Sequence, residues 1–383
     1  MPKVRHKPGA MRIDFVITEL SPGGAERCCC ELAIGLKNRG HNVRVMSLQP
    51  LPTGSKRLLV NRLEDNQIQI ATADAKRVWH LPNASLHLRR FFREDRPDIV
   101  QTMMHHANVL GSVMASRTTD AVLVGGLRVA QRRRVRNHIE RWCLHRSAAV
   151  VCVSGAVQRF AVSDLAINPS KIRVIANGID PDRFDGVSPA NWTDLGWPDD
   201  AVVIVFAGRM HRQKNLDAIF TSAPNWLDRD PRRRLLMIGD GSQASRAETF
   251  CETVADDRAK YLSWQPDVAC WLKASRVAIL PSHYEGMANG ALEAMAAGIP
   301  IVCSDVEGTD ELFPADDKRR RTQVFAAGDS ESFERLVVSF CDNEDLARDI
   351  GQRNRRHVQS EHTVPNMIDR YEELYQRLCK PSE

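Results

Sequence analysis

No apolar run in the 383-residue sequence approaches the 18 or so residues that a membrane-spanning helix needs. The most apolar stretches, such as 147–157, are short and interrupted by serine. The basic N-terminus is followed by Arg12, Asp14 and Glu19 instead of the apolar core of a signal peptide. We therefore expect a cytoplasmic chain that does not span a membrane.

Paired cysteines and aromatic residues are also scarce. The ten cysteines include no Cys-x-x-Cys pair, which argues against a disulfide framework and a cysteine metal site, and favours buried, reduced thiols. Aromatic residues make up 6% of the chain, and no stacking platform accompanies the arginines. We therefore expect no nucleic-acid partner.

Charge is unevenly distributed along the chain. The composition, 43% hydrophobic and 26% charged, is that of a folded globular protein. Residues 1–190 contain 29 Lys and Arg against 16 Asp and Glu, whereas the remaining residues contain 24 against 32. This difference indicates that the N-terminal half meets an anionic partner.

Short β-branched runs alternate with longer amphipathic stretches along both halves of the chain. This alternation predicts parallel sheets covered by helices, and the simplest architecture is an α/β protein with two doubly wound, Rossmann-like domains facing across a cleft. A Pro-, Gly- and Asp-rich stretch without periodicity predicts a linker between them. The predicted parts are an N-terminal domain over 1–185, the linker over 186–199, a C-terminal domain over 200–363 and a last segment over 364–383.

Two loops after predicted strands could contact a ligand. Gly23 and Gly24 precede a helix, so they form either a tight turn or a close backbone approach to an anion. Gly208 and Arg209 follow the strand over 201–207, with Lys214 five residues beyond Arg209. These cations are either solvated at the surface or converge on phosphate oxygens; their place at a strand end favours phosphate.

A third loop contains Gly239 and Gly241 in a G-x-G-x-x-A pattern. This is formally a dinucleotide fingerprint, but it occurs in the middle of the chain and lacks a well-placed ribose-binding acid about 20 residues further on. A nicotinamide cofactor is therefore not favoured.

The segment 281–300 contains two glutamates eight positions apart. Glu285 lies in a loop and Glu293 lies in the following helix, which begins near Asn289. Paired carboxylates accept hydrogen bonds from the hydroxyls of a sugar or ribose, and the helix N-terminus between them suits a diphosphate. The alternative is a loop glutamate beside an ordinary helical one.

Five motifs in order resemble the retaining glycosyltransferases of family four, the "group 1" sugar transferases of the GT-B fold. They are PGGAE at 22–26, KIRVIANGID at 171–180, FAGRMHRQKN at 206–215, MIGDGS at 237–242 and EGMANGALEAMAAGIPIV at 285–302. Each is moderately specific; together they extend over nearly the whole chain.

The resemblance implies a nucleotide-sugar donor, with uridine favoured over guanosine, bound by the C-terminal domain. It places the acceptor on the N-terminal domain, to which the last segment, 364–383, would cross back as a helix. Arg209 and Lys214 would bind the donor diphosphate and stabilise the leaving group, Glu285 would hold hydroxyls of the donor sugar, and Glu293 would hold the ribose. The remaining donor-binding residues would be Gly23, Gly24, Gly208, Gly239, Gly241, Gly286, Met287, Ala288 and Asn289. The resemblance implies no cofactor, no metal and no covalent nucleophile, since retention in this family is described as departure and attack on one face of the sugar.

The acceptor side departs from the family pattern. Many relatives have a histidine after the strand that corresponds to 121–125, where this chain has Gly125-Gly126-Leu127-Arg128. Arg128 could take part of that role. His105 and His106, one strand earlier, are either cleft residues or ordinary capping and packing groups.

Residues 131–146 predict a basic amphipathic helix. Val135, Ile139, Trp142 and Cys143 form one apolar face, which we expect to pack on the sheet, and five arginines occupy the other. The arginines are either solvated or bind anionic lipid. Lipid binding would place the chain peripherally on the cytoplasmic face of the inner membrane, with a glycan or lipid-linked acceptor.

The sequence thus predicts a nucleotide-sugar-dependent retaining glycosyltransferase of cell-surface polysaccharide or glycolipid synthesis. Two alternatives stay open: a nucleotide-sugar epimerase of the same fold, and a non-catalytic protein that binds anions through its basic face.

Overall fold

The computed structural model describes residues 9–75, 80–130 and 134–380, and these residues form two compact units. Unit 1 contains the chain up to Gly178 and again from Val364, and unit 2 contains Ile179–Thr363. The chain changes unit at these two points, so the stretch predicted as a linker, 186–199, lies inside unit 2. Its Trp192 and Trp197 are both buried. The ring centroid of Trp192 lies 5.9 Å from that of Trp197 and 6.1 Å from that of Trp271.

Unit 1 is built on a seven-stranded parallel sheet with the strand order β3-β2-β1-β4-β5-β6-β7. Its strands are β1 (Arg12–Ile17), β2 (Asn42–Ser47), β3 (Gln69–Thr72), β4 (Ile99–Met103), β5 (Val122–Leu127), β6 (Ala149–Cys152) and β7 (Ile172–Val174). In register, Phe15 of β1 lies between Val45 of β2 and Gln101 of β4. The central strands are buried on both faces, as their β-branched runs predict.

Seven helices belong to unit 1 in the described residues. They are α1 (Gly24–Asn38), α2 (Leu58–Asp65), α3 (Leu81–Asp95), α4 (Ser112–Thr118), α5 (Arg134–Leu144), α6 (Gly155–Ser163) and α15 (Val364–Cys379). A π-helical segment, Ala107–Gly111, precedes α4. The last helix, α15, packs on α1, where Ile368 fills the space that a side chain at Gly35 would need.

Unit 2 contains a second parallel sheet, with the strand order β10-β9-β8-β11-β12-β13. Its strands are β8 (Val202–Ala207), β9 (Arg233–Ile238), β10 (Ala259–Leu262), β11 (Val277–Leu280), β12 (Ile301–Asp305) and β13 (Val324–Ala326). Its helices are α7 (Leu216–Leu227), α8 (Ala244–Thr253), α9 (Ala269–Ala274), α10 (Asn289–Ala296), α11 (Thr309–Leu312), α12 (Arg320–Gln323), α13 (Ser330–Asp342) and α14 (Glu344–Glu361). The order changes direction at β8, where ligands bind in such sheets.

Helix α5 presents the opposite face from the one we predicted. Val135, Ile139 and Trp142 are 77%, 44% and 51% exposed, whereas Glu140 is buried. The expectation that the apolar face packs on the sheet is therefore wrong, except at Cys143, which is buried. Arg132 and Arg133 of the predicted basic face lie outside the described residues, as does the side chain of Arg134.

None of the helices in the described residues has both the length and the apolar character needed to cross a membrane.

Candidate active site

The centre of the candidate site in unit 2 is an ion pair between Lys214 and Glu285. Lys214 ends a 3-10 turn, Arg212–Lys214, in the loop after β8, and Glu285 lies in the loop after β11, the neighbouring strand. The Lys214 Nζ to Glu285 Oε1 distance is 2.6 Å, and both side chains are largely buried, at 15% and 9% exposure. The structure thus brings together two of the predicted site residues at the carboxyl ends of adjacent strands.

Glu285 is held by further hydrogen bonds. Ser282 donates its hydroxyl to Oε1 at 2.7 Å, and the Gln213 amide donates to Oε2 at 3.4 Å. The same amide also donates to the Tyr284 carbonyl at 2.9 Å. Sequence reasoning missed both residues, although Gln213 lies inside the 206–215 motif and Ser282 inside the segment 281–300. With three donors on one carboxylate, Glu285 fixes the position of the Lys214 ammonium in this structure.

Arg209 lies beside this pair in the chain but in a different environment. It directly follows Gly208 after β8, its side chain is exposed, and its guanidinium has no ion-pair partner among the described residues. The Lys214 side chain passes within 3.9 Å of where a Cβ of Gly208 would be. One exposed and one buried cation therefore flank the same strand end.

Gly239 and Gly241 join the loop after β9 to the loop after β8. Both have positive φ, and a Cβ at Gly239 would lie 2.0 Å from the Gly208 carbonyl oxygen, while one at Gly241 would lie 2.2 Å from that of Met210. The Met210 amide donates to the Asp240 carbonyl at 2.8 Å. These glycines permit close backbone packing, which supports the loop that bears Arg209 and Lys214. No ligand contact is needed to explain them.

Helix α10 begins close to the end of β8. A Cβ at Gly290 would lie 3.1 Å from the Ala207 carbonyl oxygen, so a small residue there brings the helix N-terminus near Gly208. The predicted donor-binding residues Met287 and Ala288 are buried just before this helix, and Asn289 is its first residue. Gly286 packs under the loop after β12, where a Cβ of Gly308 would lie 2.2 Å from its carbonyl oxygen.

Glu293 lies one turn further along α10. Its Oε1 is 3.8 Å from an Arg183 guanidinium nitrogen, and Arg183 also pairs with Asp267 at 2.7 Å. Arg183 lies in the 3-10 turn Asp182–Phe184, and no signal in the sequence marked it as part of the site. The Glu293 carboxylate is thus held near a cation in this structure, and a ligand hydroxyl would compete with that cation.

Unit 1 carries a separate set of predicted residues at its strand ends. Gly23 is the N-cap of α1 and Gly24 its first residue, just beyond the carboxyl end of β1. His105 follows β4, which is hydrogen-bonded to β1. Ligands bind at the carboxyl ends of parallel strands, so these residues occupy the corresponding edge of the first sheet.

His105 is the most constrained of these residues. Its Nδ1 is 2.9 Å from Glu140 Oε2, and Glu140 Oε1 accepts a hydrogen bond from Asn108 at 2.9 Å. His106 is exposed, with its ring edge-on to that of His105. The pKa of His106 is lowered, because nearby protein displaces water from part of its ring and because the positive charge of Arg136 disfavours its protonation.

Arg128 is bound within unit 1. Its guanidinium donates to Asn177 Oδ1 at 2.7 Å, and Asn177 is a buried residue of the KIRVIANGID motif. The structure therefore ties Arg128 to the loop after β7. Of the three acceptor-side candidates, only the two histidines lie next to each other in the chain and in space.

Within the described residues, no cluster of three histidine, cysteine or carboxylate side chains is arranged to hold a metal ion.

Comparison with known proteins places these two units in a class. The solved structure of Anabaena HepE in complex with UDP-glucose aligns over 96% of this chain and all of that chain, with a TM-score of 0.82 and 18% identity. The chain therefore has the GT-B fold of glycosyltransferases. Models of two families match it: "Glycosyltransferase Family 4" over 22–183 and "Glycosyl transferases group 1" over 189–357.

The chain belongs to the group 1, family 4 glycosyltransferases. One relative is the Escherichia coli UDP-Gal:alpha-D-GlcNAc-diphosphoundecaprenol alpha-1,3-galactosyltransferase, 24% identical over 76% of this chain and 78% of that protein. Another is the D-inositol 3-phosphate glycosyltransferase of Saccharomonospora viridis, 35% identical over 37% of this chain and 36% of that protein. The resemblance found in the sequence is confirmed.

Proposed function

We propose that this chain is a retaining glycosyltransferase that transfers a sugar from a UDP-sugar to a glycan or lipid-linked acceptor in the synthesis of a cell-surface polysaccharide or glycolipid. The observation that carries the proposal is the Lys214–Glu285 pair at 2.6 Å, beside Gly208 and the exposed Arg209. Two cations at one strand end suit a diphosphate. The name of the Escherichia coli relative, which includes a UDP-sugar and a lipid diphosphate, supports the same donor and acceptor classes.

The proposed reaction breaks the bond between the anomeric carbon and the oxygen of UDP. Arg209 and Lys214 stabilise the negative charge that develops on the departing diphosphate, which is the work that Mg²⁺ does in other sugar transferases. The acceptor hydroxyl forms the new bond on the same face of the sugar, and its proton passes to the diphosphate oxygen. No enzyme nucleophile is assigned, and the reaction is proposed to need no metal or other cofactor.

The two glutamates have separate roles in this proposal. Glu285 holds Lys214 in place and offers its remaining lone pairs to donor-sugar hydroxyls. Glu293 accepts hydrogen bonds from both ribose hydroxyls, in competition with Arg183 at 3.8 Å. That long ion pair is weaker than the 2.7 Å contact of Arg183 with Asp267, so Glu293 can exchange its partner while Arg183 stays paired.

Isothermal titration with UDP and GDP tests the donor site. We expect micromolar binding of UDP and weaker binding of GDP, unchanged by EDTA. Lys214→Ala should weaken UDP binding about 10- to 100-fold, because a hydrogen bond to a charged group contributes about 1.5–3 kcal/mol. Glu293→Gln should weaken it less, since one ribose hydrogen bond acceptor is retained.

Arg212→Ala is the matched control for Lys214→Ala, because Arg212 is exposed in the same 3-10 turn. Its UDP affinity should stay within about twofold of the wild type. Folded protein that binds neither UDP nor GDP, or a Lys214→Ala variant that binds like the wild type, would contradict the proposal.

The two alternatives predict different products. A nucleotide-sugar epimerase converts the donor without an acceptor and releases an isomerised sugar, whereas a transferase joins the sugar to an acceptor and leaves UDP. A non-catalytic anion-binding protein binds UDP without any turnover. Chromatographic analysis of a reaction with UDP-glucose or UDP-galactose and a GlcNAc-diphospho-lipid distinguishes the transferase, the epimerase and the non-catalytic protein by their products.

We further propose that the outward face of α5 contacts an anionic membrane. This face is defined by Val135, Ile139 and Trp142, three large apolar residues that are exposed to solvent. Folded proteins rarely expose several large apolar side chains side by side unless that surface binds something. The exposed Arg141 and Arg146 lie beside it, and the Arg146 guanidinium stacks 3.5 Å from the Trp142 ring centroid. Apolar side chains flanked by arginine and tryptophan match the interface of a bilayer with acidic headgroups.

A further inference from the structure

The buried network around Glu140 connects helix α5 to the end of strand β4. Three residues form it: Asn108, Glu140 and His105. Asn108 is fully buried, Glu140 is 5% exposed and the His105 side chain is 14% exposed. Buried polar groups of this kind cost free energy unless they are hydrogen-bonded, so their arrangement is specified by their partners.

Asn108 has a single consistent orientation. The Gly126 amide donates to its Oδ1 at 3.3 Å and the Thr102 hydroxyl donates to the same oxygen at 2.8 Å. Its Nδ2 then donates to the Gly126 carbonyl at 2.9 Å and to Glu140 Oε1 at 2.9 Å. The backbone amide of Gly126 can only donate, so it fixes which atom of the Asn108 side chain is the oxygen.

This orientation fixes the tautomer of His105. Because Glu140 Oε1 accepts from Asn108, the carboxylate presents its other oxygen, Oε2, to His105 Nδ1 at 2.9 Å. A carboxylate accepts hydrogen bonds, so the proton lies on Nδ1 of His105. The other ring nitrogen, Nε2, has no hydrogen-bond partner among the described residues and is an acceptor in the neutral ring.

The backbone at this point is unusual and presents the histidine at the sheet edge. Met104, the residue between β4 and His105, has a φ of 74°, which is uncommon for a side chain of this size. The π-helical segment that contains Asn108 follows directly. Both features recur at functional sites, where the surrounding contacts maintain them.

We propose that Glu140 is a positioning residue for sugar transfer: it holds His105 in the Nδ1–H tautomer, so that Nε2 accepts a hydrogen bond from an acceptor hydroxyl next to the attacking one and thereby orients the acceptor. The inference rests on the proposed glycosyltransferase function and names a group for its acceptor side. The attacking hydroxyl keeps its own proton free for the departing diphosphate, so His105 changes no protonation state during transfer.

Glu140→Gln is the discriminating variant, because it keeps the shape of the side chain. Its Oε1 still accepts from Asn108, but its amide now donates to His105 Nδ1 and moves the ring proton to Nε2. We expect kcat/KM for a GlcNAc-diphospho-lipid acceptor to fall about 100-fold, as misplaced reacting groups lose that much. The UDP dissociation constant and the acceptor-independent hydrolysis of UDP-glucose or UDP-galactose should stay within about twofold.

Nitrogen-15 NMR of the histidine rings gives a readout that a purely structural role would not produce. The wild type should show a protonated Nδ1 at His105, the variant a protonated Nε2, with similar melting temperatures. Glu94→Gln, an exposed glutamate on α3, is the control and should change neither the kinetics nor the ring signals.

His105→Gln is the second variant, and it leaves the Glu140–Asn108 bond in place. It should lose as much acceptor kcat/KM as Glu140→Gln, and the double variant should lose no more than either, because both act through one ring. If Glu140→Gln unfolds, this variant alone carries the test.

Three results would overturn the inference. One is a switched tautomer with unchanged kcat/KM for the acceptor, and another is an equal loss in acceptor-independent hydrolysis. The third is a wild type that binds UDP but shows neither transfer to the lipid nor a change at the His105 nitrogens on adding it. Failure of UDP binding, by contrast, would contradict the donor site and the proposed function.

Discussion

Glu285 shows how the role of a residue depends on what surrounds it. From the sequence it is a loop carboxylate expected to hold sugar hydroxyls. In the structure it accepts from Lys214, Ser282 and Gln213, so it also positions the cation that the proposed mechanism uses. The spacing to Glu293 could be read directly from the chain. The donors Lys214 and Gln213 could not, since they are 71 and 72 residues away on another loop, and nothing in the sequence marked Ser282 in the same loop.

Gly239 provides a residue-scale prediction. Gly239→Ala places a Cβ 2.0 Å from the Gly208 carbonyl oxygen, at a φ of 140°. We expect the loops after β8 and β9 to separate, the free energy of unfolding to fall by about 1–3 kcal/mol, and UDP affinity to fall with it. Denaturant unfolding and isothermal titration measure the two effects.

Gly186→Ala is the matched control, because Gly186 is an exposed glycine of unit 2, and the Cβ of an alanine there would have no atom within 4 Å outside its chain neighbours. Its unfolding free energy and UDP affinity should match those of the wild type. A Gly239→Ala variant that behaved like this control would refute the packing role assigned to Gly239.

At the scale of elements, α5 has two differently specialised faces. The spacing of its apolar residues predicted the helix, but that spacing does not determine whether the apolar side faces the protein interior or the solvent. The inward face is chosen by Glu140, whose carboxylate oxygens both accept hydrogen bonds, one from Asn108 and one from His105. Val135, Ile139 and Trp142 are turned outward as a consequence.

Three of the four edge strands are among the elements that sequence reasoning missed; the fourth, β7, was predicted over 172–176. The strands β3, β10 and β13 have three or four residues each and lie at the edges of their sheets. Strands this short lack the long apolar run of a central strand, because one side of each is unpaired and partly hydrated. The central strands, buried on both faces, were predicted from their composition.

The outward face of α5 predicts selective binding to anionic vesicles. Wild-type protein should co-sediment with phosphatidylglycerol vesicles at low salt, bind phosphatidylcholine vesicles weakly, and release as salt is raised. Ile139→Ala combined with Trp142→Ala should reduce partitioning at least tenfold. Its melting temperature should be unchanged, because both residues are about half exposed and lie outside the core.

Leu86→Ala is the matched control, since Leu86 is a 62% exposed apolar residue on a different helix, α3. Its vesicle partitioning should equal that of the wild type. Equal binding of wild type to anionic and neutral vesicles, or full binding by the double variant, would rule out this surface as the lipid contact.

At the scale of the whole molecule, the core of unit 1 includes a helix, α15, that follows unit 2 in the chain. Helix α15 contributes Met367, Ile368, Tyr371, Leu374 and Tyr375 to the same core as α1 and strands β1 and β4. Tyr375 also donates its hydroxyl to Gln101 of β4 at 2.9 Å. Unit 1 therefore depends on residues that are synthesised after all of unit 2.

Ending the chain at Thr363 should unfold unit 1 and leave unit 2 folded. Hydrogen exchange should accelerate at the amides of β1 and β4 and stay slow in β8 and β9, because five buried side chains leave the first core only. Tyr375→Ala should give a weaker version of the same pattern, and Glu373→Ala, an exposed change on α15, should give none. Equal loss of protection in both units would contradict separate cores.

The sequence by itself determined the α/β class, the central strands, the family and the loops that carry the candidate residues. These features depend on local periodicity and on short motifs, which are contiguous in the chain. Only the tertiary structure decided the donors to Glu285, the pairing of His105 with Glu140, and the outward face of α5. Each of these depends on side chains from distant segments competing for burial and hydrogen bonds, and that competition is settled when the sheets and helices pack.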